Sequence, residues 1–160
     1  MRIKLGKRGE KLPHSLISYW EVVGVKFVLN EAVCSGCRVC GLICALTNFQ
    51  ENNPKKGLLK IHGHFPAPGR YSIKVCTQCG VCASVCPEEA IKENDGIFVI
   101  DPELCVKCGL CVEECPEQVM VLHDDHEYPL KCNNCGECIV YCPRGALSDG
   151  EEEFKNACRL

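Results

Sequence analysis

The residues of this chain best suited to chemistry are its cysteines, and sixteen of the seventeen fall into four runs of one spacing. Cys34, Cys37, Cys40 and Cys44 make the first run, and Cys76, Cys79, Cys82 and Cys86 the second. Cys105, Cys108, Cys111 and Cys115 make the third, and Cys132, Cys135, Cys138 and Cys142 the fourth. Clustered thiolates select zinc or iron–sulfur centres. Structural zinc ordinarily uses two Cys-x2-Cys pairs parted by a longer spacer, whereas here four evenly spaced cysteines recur. Two residues between ligands let a short loop wrap one face of a cube, so that three thiolates reach three irons. Backbone N–H groups of such a loop can point at the sulfides, as in other anion-binding concavities. In bacterial two-cluster runs of this spacing the fourth cysteine ligates the other cluster of the pair. The expectation is four 4Fe–4S clusters on these sixteen cysteines, and a zinc-binding scaffold is the alternative.

Short elements must position these loops. A glycine in or beside each run (Gly36, Gly80, Gly109, Gly136) suits a tight backbone. Proline follows the last cysteine of the later three runs, at Pro87, Pro116 and Pro143, and fits the first turn of a helix; Ala45 stands there in the first. PEEAIK and PRGAL therefore read as short helical starts. The stretch Gly96–Cys105 reads as an apolar strand closed by the turn signal Asp101–Pro102, and Val119–Cys132 as a second hairpin with the polar tip His123–His126. Between Cys44 and Cys76 the pattern predicts a helix continuing from the first run (LICALTNFQEN), then a Pro/Gly-rich loop, HGHFPAPGR. His62 and His64 are read as loop surface, since every run already holds four cysteines.

Composition agrees with metal cross-linking. Without its cysteines the hydrophobic share falls from 46% to about 36%, with ten aromatics in 160 residues, so a core this thin needs help. The basic start never reaches a continuous apolar run of signal-peptide length, and no stretch suits a membrane span. The expectation is a cytoplasmic protein with no membrane insertion. The formal charge of −3 becomes roughly −11 once four clusters with their thiolates add about −2 each. Nucleic-acid binding, which needs a basic footprint, is excluded. Lys7, Arg8, Lys11 and the Lys55–Lys56 pair read as isolated solvated patches, and Lys74, Lys107 and Lys131 beside the ligands as surface charges.

The four runs resemble the four-cluster electron-transfer subunits that accompany molybdenum and tungsten enzymes. The resemblance covers about residues 27–148 and rests on CSGCRVCGLIC, with no proline at its end, two later runs closing with Cys-Pro-Glu, and the last with CPRGAL. That family commonly carries insertions in its second and fourth runs, and here all four are compact. In size the chain is similar to the polyferredoxin subunits of tungsten aldehyde oxidoreductases and the like subunit of tungsten benzoyl-coenzyme A reductases. The resemblance implies an α+β fold of two pseudo-symmetric ferredoxin-like modules, the first run pairing with the fourth and the second with the third. Spacing alone would also let the third and fourth runs pair, across the 16 residues from Cys115 to Cys132.

No constellation suggests catalysis on a substrate, because each cube is fully coordinated. The function expected is one-electron relay as the redox subunit of a multisubunit oxidoreductase, with a free-standing polyferredoxin as the alternative. The partners implied are a large catalytic tungsten or molybdenum subunit and a flavin subunit or ferredoxin; several copies could also stack. Residues 1–26 then form an arm for partner docking, and 149–160 a tail. Tyr19, Trp20, Val22 and Val23 would anchor the arm on the partner or cover the protein's own clusters, and Cys158 is read as a free thiol.

Overall fold

The computed structural model describes residues 25–67 and 69–150; the arm residues Tyr19–Val23 and Cys158 lie outside them. Among the described residues, six short strands and four helices are joined by cysteine loops. Strand β1 (Phe27–Leu29) leads through a 3-10 turn (Glu31–Val33) into the first run, which continues as α1 (Val39–Phe49). A second 3-10 turn (Pro54–Lys56) precedes the ribbon β2 (Lys60–Gly63) and β3 (Tyr71–Lys74). The second run carries α2 (Val81–Ser84), followed by the ribbon β4 (Ile91–Asn94) and β5 (Ile97–Ile100). The third and fourth runs carry α3 (Leu110–Glu113) and α4 (Glu137–Val140), and β6 (Leu147–Asp149) closes the series.

All three strand pairs are antiparallel, and two are local ribbons. The third joins β1 to β6, Leu29 opposite Leu147 and Phe27 opposite Asp149, and so brings the first run to the fourth across most of the chain. Helix α1 then packs on α4, and α2 on α3. Two cores result. One gathers Cys40, Cys44, Leu58, Ile73, Cys138 and Leu147; the other gathers Cys82, Ile91, Cys111 and Met120. Cysteines stand at the centre of both, so each core is built around the positions that a metal centre would stiffen.

Several local expectations change. PEEAIK is not a helical start: Ile91 and Lys92 begin β4, and PRGAL is a turn leading into β6. After the last cysteine of the later runs the chain makes one turn, Glu89 N–H to Cys86 O, Gln118 N–H to Cys115 O and Gly145 N–H to Cys142 O. It then takes positive φ at Glu89, Gln118 and Gly145 (48°, 54° and 59°). A left-handed residue cannot propagate a right-handed helix, so proline starts a turn that stops at once. The Pro/Gly-rich segment is likewise a ribbon, with Ile61 opposite Ile73 and only residues 64–70 as its connection. His62 and His64 are exposed, and His64 Nε2 lies 3.0 Å from Ser72 Oγ. The hairpin expected over residues 119–132 reduces to one bridge, Val121 with Leu130.

Lys56 is the clearest departure. Its side chain is 0% exposed, and Nζ donates to both oxygens of Glu51 (2.8 and 2.7 Å) and to Asp125 (3.1 Å). Hydrogen bonding to Glu51 raises the lysine pKa, and hydrogen bonding to Lys56 lowers that of Asp125. A raised lysine stabilises the fold below its ordinary pKa and loses that contribution as pH climbs through the raised value. A lowered carboxylate loses its contribution as pH falls through the lowered one. The trio therefore ties the end of α1 to the His123–His126 tip across the neutral range.

Candidate metal centres

Each cysteine loop repeats one backbone. The residue before the second cysteine has positive φ in all four runs: Gly36, Gln78, Lys107 and Asn134, at 67°, 54°, 56° and 62°. So does the residue after it: Arg38, Gly80, Gly109 and Gly136, at 61°, 79°, 84° and 75°. Two left-handed residues flanking one cysteine curl the loop until its N–H groups face inward. Sequence reasoning found the glycines but missed Gln78, Lys107 and Asn134 as their structural equivalents. A signal was present, since the aligned position holds Gly, Gln, Lys or Asn and never a β-branched residue.

The loops line open pockets. One is lined by Cys132, Cys135, Cys138 and Cys44. Another is lined by Cys105, Cys108, Cys111 and Cys86. A third is lined by Cys34, Cys37, Cys40 and Cys142. Each set takes three cysteines from one run and the last cysteine of another. Of the remaining four, Cys82 lies close enough to Cys76 and Cys79 for their charges to interact, and Cys115 packs on the same core as Cys82. Among the described residues, no three His, Cys, Asp or Glu side chains converge to hold a lone metal ion. The thiols stand around a volume instead of a point.

Burial raises the third thiol of every run, to about 11 at Cys40 and at Cys111, with Cys82 and Cys138 also raised. Cys132 is pushed up to about 12 and Cys44 is raised, again chiefly by burial. Four clustered thiolates in such a place need cationic charge between them, and an iron–sulfide core supplies it. Donors for negative sulfur are already present. Leu58 N–H reaches Cys44 Sγ at 3.4 Å, Asn134 N–H reaches Cys132 Sγ at 3.4 Å, and Ala146 N–H reaches Cys142 Sγ at 3.2 Å. Asn48 Nδ2 adds a longer contact to Cys44 Sγ at 3.7 Å. The donor set fits a cluster.

The loops also touch in a definite order. Cys138 lies near Cys40, Cys132 near Cys76, and Cys111 near Cys82. First, fourth, second, third is therefore the spatial sequence. At the middle junction Gln78 Nε2 donates to Cys132 O at 3.2 Å, while its Oε1 accepts from Phe98 N–H and from Lys131 Nζ. Lys131, expected as surface charge, is half-buried there, 5.9 Å from the centre of the Phe98 ring. Its charge lowers the Cys82 thiol pKa against the larger effect of burial. Lys74 instead pairs with Glu117 at 3.4 Å. A cation near thiolates favours the reduced, more negative state. Lys131→Met should thus lower the potential of the centre in the second loop by several tens of millivolts, equivalent to about 1 kcal/mol. A spectroelectrochemical titration checks this, and an unchanged potential would return Lys131 to the solvated surface.

Comparison with known proteins agrees with this chemistry. Three models described as 4Fe-4S dicluster domains match residues 33–91, 75–119 and 104–147, each spanning two consecutive runs. Ferredoxin Fdx2 of Sorangium cellulosum is 56% identical over 34 residues, 21% of this chain and 34% of that one. The ferredoxin of Clostridium pasteurianum is 62% identical over 26 residues, 16% of this chain and 46% of its own. The matches thus span less than half the length of these curated relatives. Among solved structures, a benzoyl coenzyme A reductase active-site complex BamBC with zinc aligns at a TM-score of 0.46 and 24% identity, covering 82% of this chain and 80% of that one. The same complex with benzoyl-CoA aligns at 0.42 and 23%, covering 76% of each. No helix among the described residues is long and apolar enough to cross a membrane. Residues 33–147 are 4Fe–4S ferredoxin-type domains, and their business is electron transfer.

Proposed function

We propose that the chain holds four 4Fe–4S clusters and relays single electrons between them as the redox subunit of a tungsten or molybdenum oxidoreductase. The observation that carries this is the crossed lining of three cavities, each with four cysteines from two runs. The sets are Cys34, Cys37, Cys40 and Cys142; Cys132, Cys135, Cys138 and Cys44; Cys76, Cys79, Cys82 and Cys115; and Cys105, Cys108, Cys111 and Cys86. They form two ferredoxin-like modules over residues 27–148, the first run with the fourth and the second with the third. A bound cluster of this kind exchanges one electron at a time while its ligands stay in place. The chain's own residues fix the thiolates on tight loops, aim N–H donors at them and exclude water with Leu58, Ile73 and Leu147. Such hydrogen bonds and burial set the potential.

The finer placement, with the aldehyde oxidoreductase family, draws on the compact four-run pattern described above; a cytoplasmic location is proposed from clustered cysteines that bind metal instead of forming disulfides. The test is anaerobic isolation of the untagged chain from its native extract, followed by reductive titration. Co-purification of a large subunit containing tungsten or molybdenum, and uptake of about four electrons per chain, are expected. A lone brown monomer would make the chain a free-standing carrier. A colourless one would leave only a zinc scaffold.

A further inference from the structure

The four loops serve as controls for one another, and one differs. At the positions just before the first cysteine, just after it, and two after the second, the third loop carries Leu104, Val106 and Leu110. They are 43%, 61% and 41% exposed. The first loop has Val33 and Val39 half-buried, with polar Ser35 between. The second buries Val75, exposes Thr77 and half-buries Val81. The fourth carries Lys131, Asn133 and Glu137. Leu122, 44% exposed, completes the third loop's patch, its Cδ2 lying 3.7 Å from where a Gly109 side chain would begin. Exposed Cys108 sits at its middle.

Charge sets this loop apart as well. Residues 101–118 carry Asp101, Glu103, Glu113, Glu114 and Glu117 against Lys107 alone. Glu113 and Glu114 follow Leu110 by three and four positions and share its helix face, and exposed Glu88 lines the same cavity as Val106 and Cys108. The third loop lies against the second, Cys111 beside Cys82 and Cys86. Four exposed apolar side chains with an acidic rim suit an encounter with a carrier of complementary charge.

Resting on the function proposed above, we infer that the face made by Leu104, Val106, Leu110 and Leu122 around Cys108 is where this chain exchanges electrons with a soluble one-electron carrier protein bearing an apolar patch ringed by lysines. The exchange moves one electron, with no bond made or broken: the iron–sulfur site is oxidised by one electron and the carrier's cofactor reduced by one, or the reverse. Rim charges steer the encounter, and the apolar centre expels water where the two redox sites approach.

The probe is ferricytochrome c, a carrier whose haem edge is ringed by lysines, mixed with the anaerobically reduced full chain in stopped flow. The wild-type rate should fall steeply with salt. Leu104→Ser with Leu122→Ser, and separately Glu103→Lys with Glu114→Lys, should each slow it about tenfold or more. Iron content and visible spectrum should be unchanged. Phe65→Ser and Val140→Ser, which remove side chains 85% and 75% exposed elsewhere, should not slow it. Carbodiimide cross-linking to oxidised cytochrome c, mapped by mass spectrometry, should capture Glu103, Glu113 or Glu114. Patch variants as fast as wild type, or cross-links confined to other loops, overturn this inference and leave the relay reading intact. A wild-type chain that transfers no electron overturns both.

Discussion

Cys44→Ser is expected to change the cluster of the fourth loop and to leave that of its own loop untouched. Cys44 sits on α1, which packs against α4, and lines the cavity of Cys132, Cys135 and Cys138. Its sulfur receives the Leu58 N–H at 3.4 Å, so a serine oxygen would take a ligand position already held from behind. The converse variant, Cys142→Ser, should alter the cluster of Cys34, Cys37 and Cys40, whose cavity Cys142 lines. Where serine fails to bind, loss of one cluster removes roughly a quarter of the iron. Electron paramagnetic resonance of the reduced variants, titrated by potential, separates the outcomes. If Cys44→Ser perturbs the cluster of Cys76, Cys79 and Cys82, the first run pairs with the second and the crossed sets are wrong.

The second large effect concerns a glycine. Gly36→Ala and Gly96→Ala both place a side chain at positive φ, 67° and 79°, which costs about 1–2 kcal/mol at either site. Their surroundings differ. A Cβ at Gly96 meets nothing within 4 Å, whereas one at Gly36 would lie 2.2–2.6 Å from three atoms of the Tyr71 ring. Tyr71 is the first residue of β3, opposite Gly63 at the end of β2, and its ring covers the first cysteine loop. Gly36→Ala should therefore cost at least about twice as much as Gly96→Ala, read as earlier bleaching of the holo-protein on heating. It should also speed loss of iron to a chelator. Adding Tyr71→Ala should recover part of the difference. Equal bleaching temperatures for the two alanine variants would mean that the ring does not hold the loop.

Much of this arrangement was legible beforehand because it is local. The spacing of four cysteines dictates a loop, and the loop dictates its left-handed residues, so Gly36, Gly80, Gly109 and Gly136 could be picked out from sequence. What escaped depends on strand pairing and packing, not on the spacing within a run. The β2–β3 ribbon has only Ile61 and Ile73 facing each other as a signal, and prolines and glycines in its connection masked it. PEEAIK carries helix formers, yet the left-handed Glu89 ends the turn and Ile91 is drawn into β4 by pairing with Ile100. Lys56 looked solvated because its partners are Glu51, nearby, and Asp125, 69 residues away. Lys131 and Gln78 belong to different runs, and only the packing of the fourth loop on the second brings them together. The first run beside the fourth was implied by the resemblance and not by spacing; the strand pair that joins them sets Leu29 opposite Leu147, across more than a hundred residues.

On the function proposed above, thiolates around these pockets hold iron and sulfide and make the polypeptide an electron relay. Anaerobic purification with quantification of iron and acid-labile sulfide tests it most directly. About sixteen of each per chain, with broad visible absorption that bleaches on reduction, is the result predicted. Far fewer after reconstitution, or stoichiometric zinc in a colourless protein, would contradict it.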